Sequence, residues 1–205
     1  MIKKRRIGIY GGTFNPPHFG HLGAALGFLK AVELDELLIM PDFLPPHKTF
    51  EGKVTVEDRL NMVSLAFGNI DKATVSDLEI SRGGKSYTVL TLRELESEGT
   101  ELFLLCGTDM ILTLDEWFAP EEIFARCTPV GIRRECETGK SEAIEKKLRL
   151  YRERFGKDIP FVESKTVVIS SSELRARLKS GEDHGGFLSD KVYEFIKTHQ
   201  LYGTK

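Results

Sequence analysis

Two histidines three residues apart, His18 and His21, lie in the run Gly11-Gly12-Thr13-Phe14-Asn15-Pro16-Pro17-His18-Phe19-Gly20-His21-Leu22. Imidazoles donate hydrogen bonds to phosphate oxygens and, when protonated, offset charge that builds up on them. The spacing predicts that both fall on one face of a helix's first turn. Gly11 and Gly12 allow close backbone approach, and Thr13 and Asn15 are short donors. A helix N-terminus would add N–H groups and a partial positive charge that favours an anion. One histidine alone would read as a cap or packing residue, whereas a pair directly after a strand and a glycine turn reads as a phosphate site. A metal site would need a third ligand, and none is near in sequence. The run is not a dinucleotide fingerprint, because G-x-G-x-x-G is absent. It is not a P-loop either, and the closest approach to one, Gly84-Lys85-Ser86, has Glu79 where the leading glycine belongs.

The elements that must position this run alternate between strand and helix. Arg6–Tyr10 reads as a short apolar strand, Gly20–Val32 as a helix with apolar residues at helical spacing, and Leu37–Met40 as a second buried strand. The residues from Pro41 to Val54, rich in Pro, Lys and Gly, form a long loop of the kind that often carries function. Thr55 with Asp58 resembles a capping box opening a helix to about Phe67. Ala73–Ile80 is expected as a strand, Thr88–Glu98 as a helix ended by Gly99, and Leu102–Cys106 as the most apolar strand. A helix over Thr108–Leu114, a strand over Thr128–Ile132 and a charged helix over Ser141–Phe155 follow. One or two short strands within Pro160–Ile169 and two closing helices, Ser171–Lys179 and Asp190–His199, complete the chain. Continuous apolar strands between helices predict an α/β fold: a doubly wound, Rossmann-like parallel sheet with helices on both faces and a small C-terminal helical subregion over about 170–205, all in one domain. Ligands in such folds bind outside the carboxyl ends of the strands, where the run above begins.

Composition narrows the class. With 205 residues, 40% hydrophobic and 29% charged, the chain can bury a substantial core, and a net charge of -2 argues against nucleic-acid binding. Lys3–Arg6 reads as a solvated lead-in to the first strand. Cys106, Cys127 and Cys136 form no CxxC pair and no disulfide framework. No signal-peptide pattern and no run long enough to span a bilayer is present, so a cytoplasmic location is expected.

The long run resembles the signature of the HxGH nucleotidyltransferase superfamily, and in its full length it is similar to that of the bacterial nicotinate-nucleotide adenylyltransferases. Further blocks resemble that family in its own order. Ile169-Ser170-Ser171-Ser172-Glu173-Leu174-Arg175 is similar to I-S-S-[ST]-x-[IL]-R. Read from its residues alone, it is a helix start in which Ser170 and Glu173 form a capping box and Arg175 is a bidentate phosphate donor. Gly107-Thr108-Asp109 followed by Trp117 resembles G-x-D…W. The resemblance places Asp109 beside the nucleotide ribose or metal and stacks Trp117 on the pyridine ring, whereas a lone Trp would otherwise read as core. Pro45-Pro46-His47-Lys48 resembles P-x-H-K, whose Lys reaches phosphate. Ser86-Tyr87-Thr88 matches the S-Y-T element of the pyridine-nucleotide pocket, and Val192…Tyr202 is similar to a closing helix read as structural. Departures are Asn15 where Asp is common, Leu90 where an acidic residue often follows, and Arg133-Arg134-Glu135-Cys136 in place of Arg-Pro-Gly. They bear on the choice between acid and amide forms of the pyridine nucleotide.

The resemblance implies transfer of AMP from ATP, with Mg²⁺, to nicotinate mononucleotide, giving nicotinate adenine dinucleotide and pyrophosphate. It assigns His18, His21, Arg175 and Lys48 to catalysis. The ATP side takes Gly11, Gly12, Thr13, Phe14, Gly107, Asp109, Ile169, Ser170 and Ser171, and the mononucleotide side takes Asn15, Lys48, Tyr87, Thr88, Trp117 and Arg133. The Mg²⁺ would be held mainly by phosphates and water, with no dedicated protein cage. The expected assembly is a monomer or small homo-oligomer. Transferases for phosphopantetheine, flavin mononucleotide or glycerol phosphate, and a sensor that binds without turnover, are the rival readings.

Overall fold

The computed structural model describes residues 3–46, 54–134, 141–164, 169–182 and 184–204. Lys48, His47, Glu135 and Cys136, all named above, lie outside the described residues. Six strands form one sheet: β1 (Arg5–Gly12), β2 (Glu36–Pro41), β3 (Ala73–Val75), β4 (Thr100–Gly107), β5 (Cys127–Arg134) and β6 (Phe161–Ser164). Every pairing is parallel and the order is β3-β2-β1-β4-β5-β6, that of the doubly wound fold. The order in which strands are added reverses between β1 and β4, and that crevice is the topological switch point.

Strand alternation explains why the sheet needs helices on both sides. On one face Ile7, Ile9, Leu38, Met40, Leu102, Leu104 and Cys106 join a core closed by helices α4 (Thr88–Leu95), α5 (Thr108–Thr113), α6 (Pro120–Arg126) and α7 (Ser141–Phe155). On the other, Leu37, Ile39, Phe103, Leu105, Val130 and Ile132 pack under α1 (Phe19–Val32) and α2 (Val56–Phe67). A third cluster, formed by Met62 of α2 with Leu174, Leu178, Val192 and Ile196, holds α8 (Ser171–Ser180) and α9 (Asp190–Thr198) against the first two layers. Gly8 marks how closely α1 approaches β1. A Cβ there would overlap Leu34 Cδ1 and stand 2.9 Å from Phe28 Cε1. Gly8→Ala is therefore expected to lower stability by about 1–3 kcal/mol through overpacking, read as a lower urea midpoint at unchanged slope.

Several elements differ from expectation. β3 stops at Val75, because the Ser76 hydroxyl accepts the Leu78 N–H and the Ser81 hydroxyl bonds the Asp77 carboxylate. These local bonds start a short helix, α3 (Leu78–Arg82), where a strand to Ile80 was predicted. α4 ends at Leu95 rather than near Glu98. Glu96 is extended, and Thr100 Oγ1 closes a turn on the Ser97 carbonyl at 2.7 Å, with Gly99 at φ 82°. The α5 segment passes into a 3₁₀ turn over Leu114–Glu116. α6 was not anticipated, although Pro120 at its first position followed by Glu121 and Glu122 is a start signal. Of the strands expected within Pro160–Ile169, one, β6, is among the described residues.

Candidate active site

Among the described residues, the predicted blocks gather at the carboxyl edge of the sheet. The 11–22 run leaves β1 and enters α1, Gly107–Asp109 leaves β4 and enters α5, and these two strands flank the switch point. A side chain at Gly11 or Gly107 would meet no protein atom within 4 Å. Internal crowding therefore does not explain these glycines, whereas an incoming nucleotide lying on the backbone would.

His18 is the N-cap of α1 and only 3% exposed; His21 is the third helical residue. Their ring centres are 3.8 Å apart. His21 Nδ1 accepts the His18 N–H at 3.2 Å. Assigned from this bond, the proton of neutral His21 sits on Nε2, which makes that atom a donor without any titration. The expectation of an N–H-rich anion site at this helix end is narrowed. The Phe19 N–H is taken by the Phe187 carbonyl at 2.9 Å and the His21 N–H by the His18 carbonyl at 2.8 Å. The imidazoles, more than the backbone, are what α1 offers a phosphate.

The loop before the histidines is held from behind by groups that sequence reading missed. Arg59 of α2 is 1% exposed; its Nη1 donates to the Thr13 carbonyl at 3.0 Å and to Asp42 Oδ1 at 2.9 Å. Its Nη2 donates to the Asp42 and Phe43 carbonyls. Burial draws the Arg59 guanidinium's pKa down, and the Asp42 carboxylate beside it draws it back up. Asp42 Oδ2 accepts the Thr13 hydroxyl at 2.8 Å, so this side chain braces the loop from within the protein. From the other side, Arg175 Nη1 donates to the Asn15 carbonyl at 2.8 Å, Ser171 Oγ to the Pro16 carbonyl at 3.0 Å, and the Tyr202 hydroxyl to Asn15 Oδ1 at 2.5 Å. Asn15–Pro16 is a cis peptide. Ser170 caps α8 by accepting the Glu173 N–H at 3.1 Å, but Glu173 turns to Arg177, so half of the expected capping box forms. Phe14 and Ile169 are both buried in apolar clusters, which leaves only their backbone for a ligand.

A second part of the site is a small cavity, about 90 Å³, lined by Pro46, Ser86, Tyr87, Thr88, Trp117, Phe118 and Ile123. Trp117 is fixed by its Nε1, which donates to Thr113 Oγ1 at 3.3 Å. Phe118, 55% exposed and unread in the sequence, lies 4.9 Å from the Tyr87 ring. The wall is stitched by Ser86, whose Oγ accepts the Phe43 N–H at 2.9 Å. Behind it the buried Glu79 accepts Thr91 Oγ1 at 2.6 Å, and burial pushes its carboxyl pKa up against that bond and one from Ser86. Asp109 is exposed at the start of α5. Arg133 is also exposed, but it stands over the Phe161 ring at 5.1 Å and does not line the cavity. Among the described residues, no three His, Cys, Asp or Glu side chains gather as a metal cage, and no helix is long and apolar enough to cross a membrane.

Residues 9–177 match the model of the cytidylyltransferase-like family. The chain is 34% identical over 204 residues to a probable nicotinate-nucleotide adenylyltransferase of Listeria monocytogenes, covering 98% of this chain and all of that protein. A protein of the same description from Shouchella clausii is 38% identical over 201 residues, 97% of each chain. In fold it is similar to the nicotinic acid mononucleotide adenylyltransferase of Plasmodium falciparum complexed with NaAD, with a TM-score of 0.77 at 21% identity and 98% of both chains covered.

Proposed function

The chain belongs to the cytidylyltransferase-like family, and from that premise we propose that it transfers AMP from ATP to nicotinate mononucleotide, releasing pyrophosphate and nicotinate adenine dinucleotide for NAD biosynthesis. The observation that supports this reading most is a histidine pair between glycine turns and an aromatic-lined cavity, both at the carboxyl ends of the strands. The histidine pair and glycine turns at the switch point suit a triphosphate, and the Tyr87–Thr88–Trp117 cavity suits a flat ring.

A phosphate oxygen of the mononucleotide attacks the α-phosphorus of ATP, and the bond to the β-phosphate's bridging oxygen breaks as pyrophosphate leaves. The nucleophile is already an anion near neutral pH, so no general base is needed. The protein must align two mutually repelling phosphates and neutralise charge between them. His18 and His21 donate to the α-phosphate as charge moves onto its oxygens, and Arg175 and Lys48 offset the remainder. Gly11, Gly12 and Gly107, with the Phe14 and Ile169 backbone, Ser170 and Ser171, form the ATP cradle. Thr13 shapes it through Asp42. Asn15, Lys48 and Arg133 meet the mononucleotide's polar groups, and Tyr87, Thr88 and Trp117 enclose its ring. The ion implied is Mg²⁺, which would come with the triphosphate and would neutralise phosphate charge, and the exposed Asp109 carboxylate is the protein group that would hold it. A cytoplasmic setting and small-molecule substrates, without nucleic acid, complete the reading; Cys106 and Cys127 are buried free thiols and the net charge is -2.

The test is pyrophosphate release with ATP, Mg²⁺ and nicotinate mononucleotide, with the amide mononucleotide run in parallel. Release with the acid is expected; release with the amide alone would reassign the substrate, and release with neither would end the reading. Trp117→Ala is expected to raise KM for the mononucleotide about tenfold through lost ring stacking, with KM for ATP within about twofold. Equal changes in both would remove Trp117 from the pyridine pocket.

A further inference from the structure

Tyr202 enters the active site from the far end of the chain. It sits in a 3₁₀ turn over Leu201–Gly203 that follows α9, and its hydroxyl reaches Asn15, 187 residues away in sequence. The turn bends sharply to make this reach: Gln200 (φ 50°) and Tyr202 (φ 57°) both occupy the left-handed region that non-glycine residues rarely adopt. The turn is then locked by Thr204, whose Oγ1 donates to the Ile196 and Leu201 carbonyls. Burial pushes the Tyr202 hydroxyl's pKa well above its ordinary value, although Arg175 and Arg59 on either side pull it down, so the group remains a donor at any working pH.

Four donors thus hold one short stretch of loop. Arg59 holds the Thr13 carbonyl, Arg175 the Asn15 carbonyl, Ser171 the Pro16 carbonyl, and Tyr202 the Asn15 side chain. The first three fix the backbone, and of the four only Tyr202 acts on a side chain assigned to ligand binding. An asparagine amide has one acceptor branch and one donor branch. With Oδ1 engaged by the tyrosine hydroxyl, the other branch carries two N–H groups. We infer that Tyr202 is a positioning residue: its hydroxyl fixes the rotation of the Asn15 amide so that the Nδ2 N–H pair is the branch presented to the mononucleotide phosphate. The phosphate acceptor rests on the adenylyltransferase reading above, whereas the Tyr202–Asn15 orientation does not.

Two arms test this in the full-length protein. In the first, kcat/KM for nicotinate mononucleotide is measured in Tyr202→Phe, Asn15→Ala and the double variant. Each single change is expected to lower it about tenfold, as for loss of one oriented hydrogen bond, and the double variant about as much as either alone. In the second, the side-chain NH₂ peaks of Asn15, identified by their loss in Asn15→Ala, are followed by ¹⁵N–¹H NMR in Tyr202→Phe, where they are expected to shift. The inference is overturned if Tyr202→Phe leaves kcat/KM within about twofold of wild type, if the two losses multiply to about a hundredfold, or if the Asn15 peaks do not move. A merely structural tyrosine would give multiplying losses and a lowered Tm instead. Should the wild-type protein itself release no pyrophosphate, the reaction assignment fails and the NMR arm alone decides Tyr202.

Discussion

Replacing His21 with alanine is expected to lower kcat by about two to three orders of magnitude while leaving KM for ATP within about threefold of wild type. The reasoning is differential. Charge on the α-phosphate oxygens grows as the pentacoordinate arrangement forms, so a donor aimed there gains strength in the transition state and little in the ground state. His21 has a second duty that must be separated from this one, since its Nδ1 accepts the His18 N–H at 3.2 Å. Alanine removes both functions, and loss of a helix-start bond costs about 1 kcal/mol of stability. His21→Asn separates them, because its Oδ1 can take the place of Nδ1 while nothing replaces the Nε2 donor. His21→Gln does the reverse. Steady-state kinetics should therefore find Asn as impaired as Ala and Gln partly recovered. Near-normal kcat in the alanine variant would remove His21 from the chemistry, and recovery in Asn but not Gln would make it a cap and nothing more.

How much of this was legible beforehand depends on the range of the interaction. β4 was readable because Leu102–Cys106 is an uninterrupted apolar run that a strand buried on both faces demands, and the Thr55–Asp58 box formed as expected, with Asp58 Oδ2 accepting the Thr55 N–H at 2.8 Å. The histidine pair, the glycine turns and the Trp117 cavity were legible through spacing and resemblance. The failures have physical causes. Ala73–Ile80 alternates like a strand, but the Ser76 hydroxyl gives the Leu78 N–H a local partner instead, and a Ser81–Asp77 side-chain bond closes the turn that follows. The Thr13 hydroxyl finds Asp42 29 residues on, a bond that no local pattern announces. Tyr202 and Asn15 meet across nearly the whole chain, a contact no periodicity encodes. Arg59 did leave a trace: it falls in register with Met62, Val63 and Phe67, so it is a charge on the buried stripe of α2.

That trace leads to the largest expected stability effect. Arg59→Met should cost about 3–5 kcal/mol, because breaking a buried ion pair leaves its partner charged and uncompensated. Here the partner is Asp42, 8% exposed, which would keep only the Thr13 hydroxyl at 2.8 Å among its side-chain bonds described above. The Thr13, Asp42 and Phe43 carbonyls lose their donors at the same stroke. Against a typical domain stability of about 5–15 kcal/mol, this is a large fraction, and urea denaturation monitored by circular dichroism would read it directly. Activity should fall too, and a second variant shows why the two losses are distinct. Combining Arg59→Met with Asp42→Leu removes both charges, so much of the stability should return, as apolar replacement of a buried pair often restores it. The loop leading to His18 would still lack its hold at Thr13, so kcat/KM should remain depressed in the refolded double variant. A single variant that costs less than about 1 kcal/mol would mean the pair is solvated or replaceable. A double variant that regains activity along with stability would mean that Arg59 supports the fold alone and leaves the geometry of the reaction to other residues.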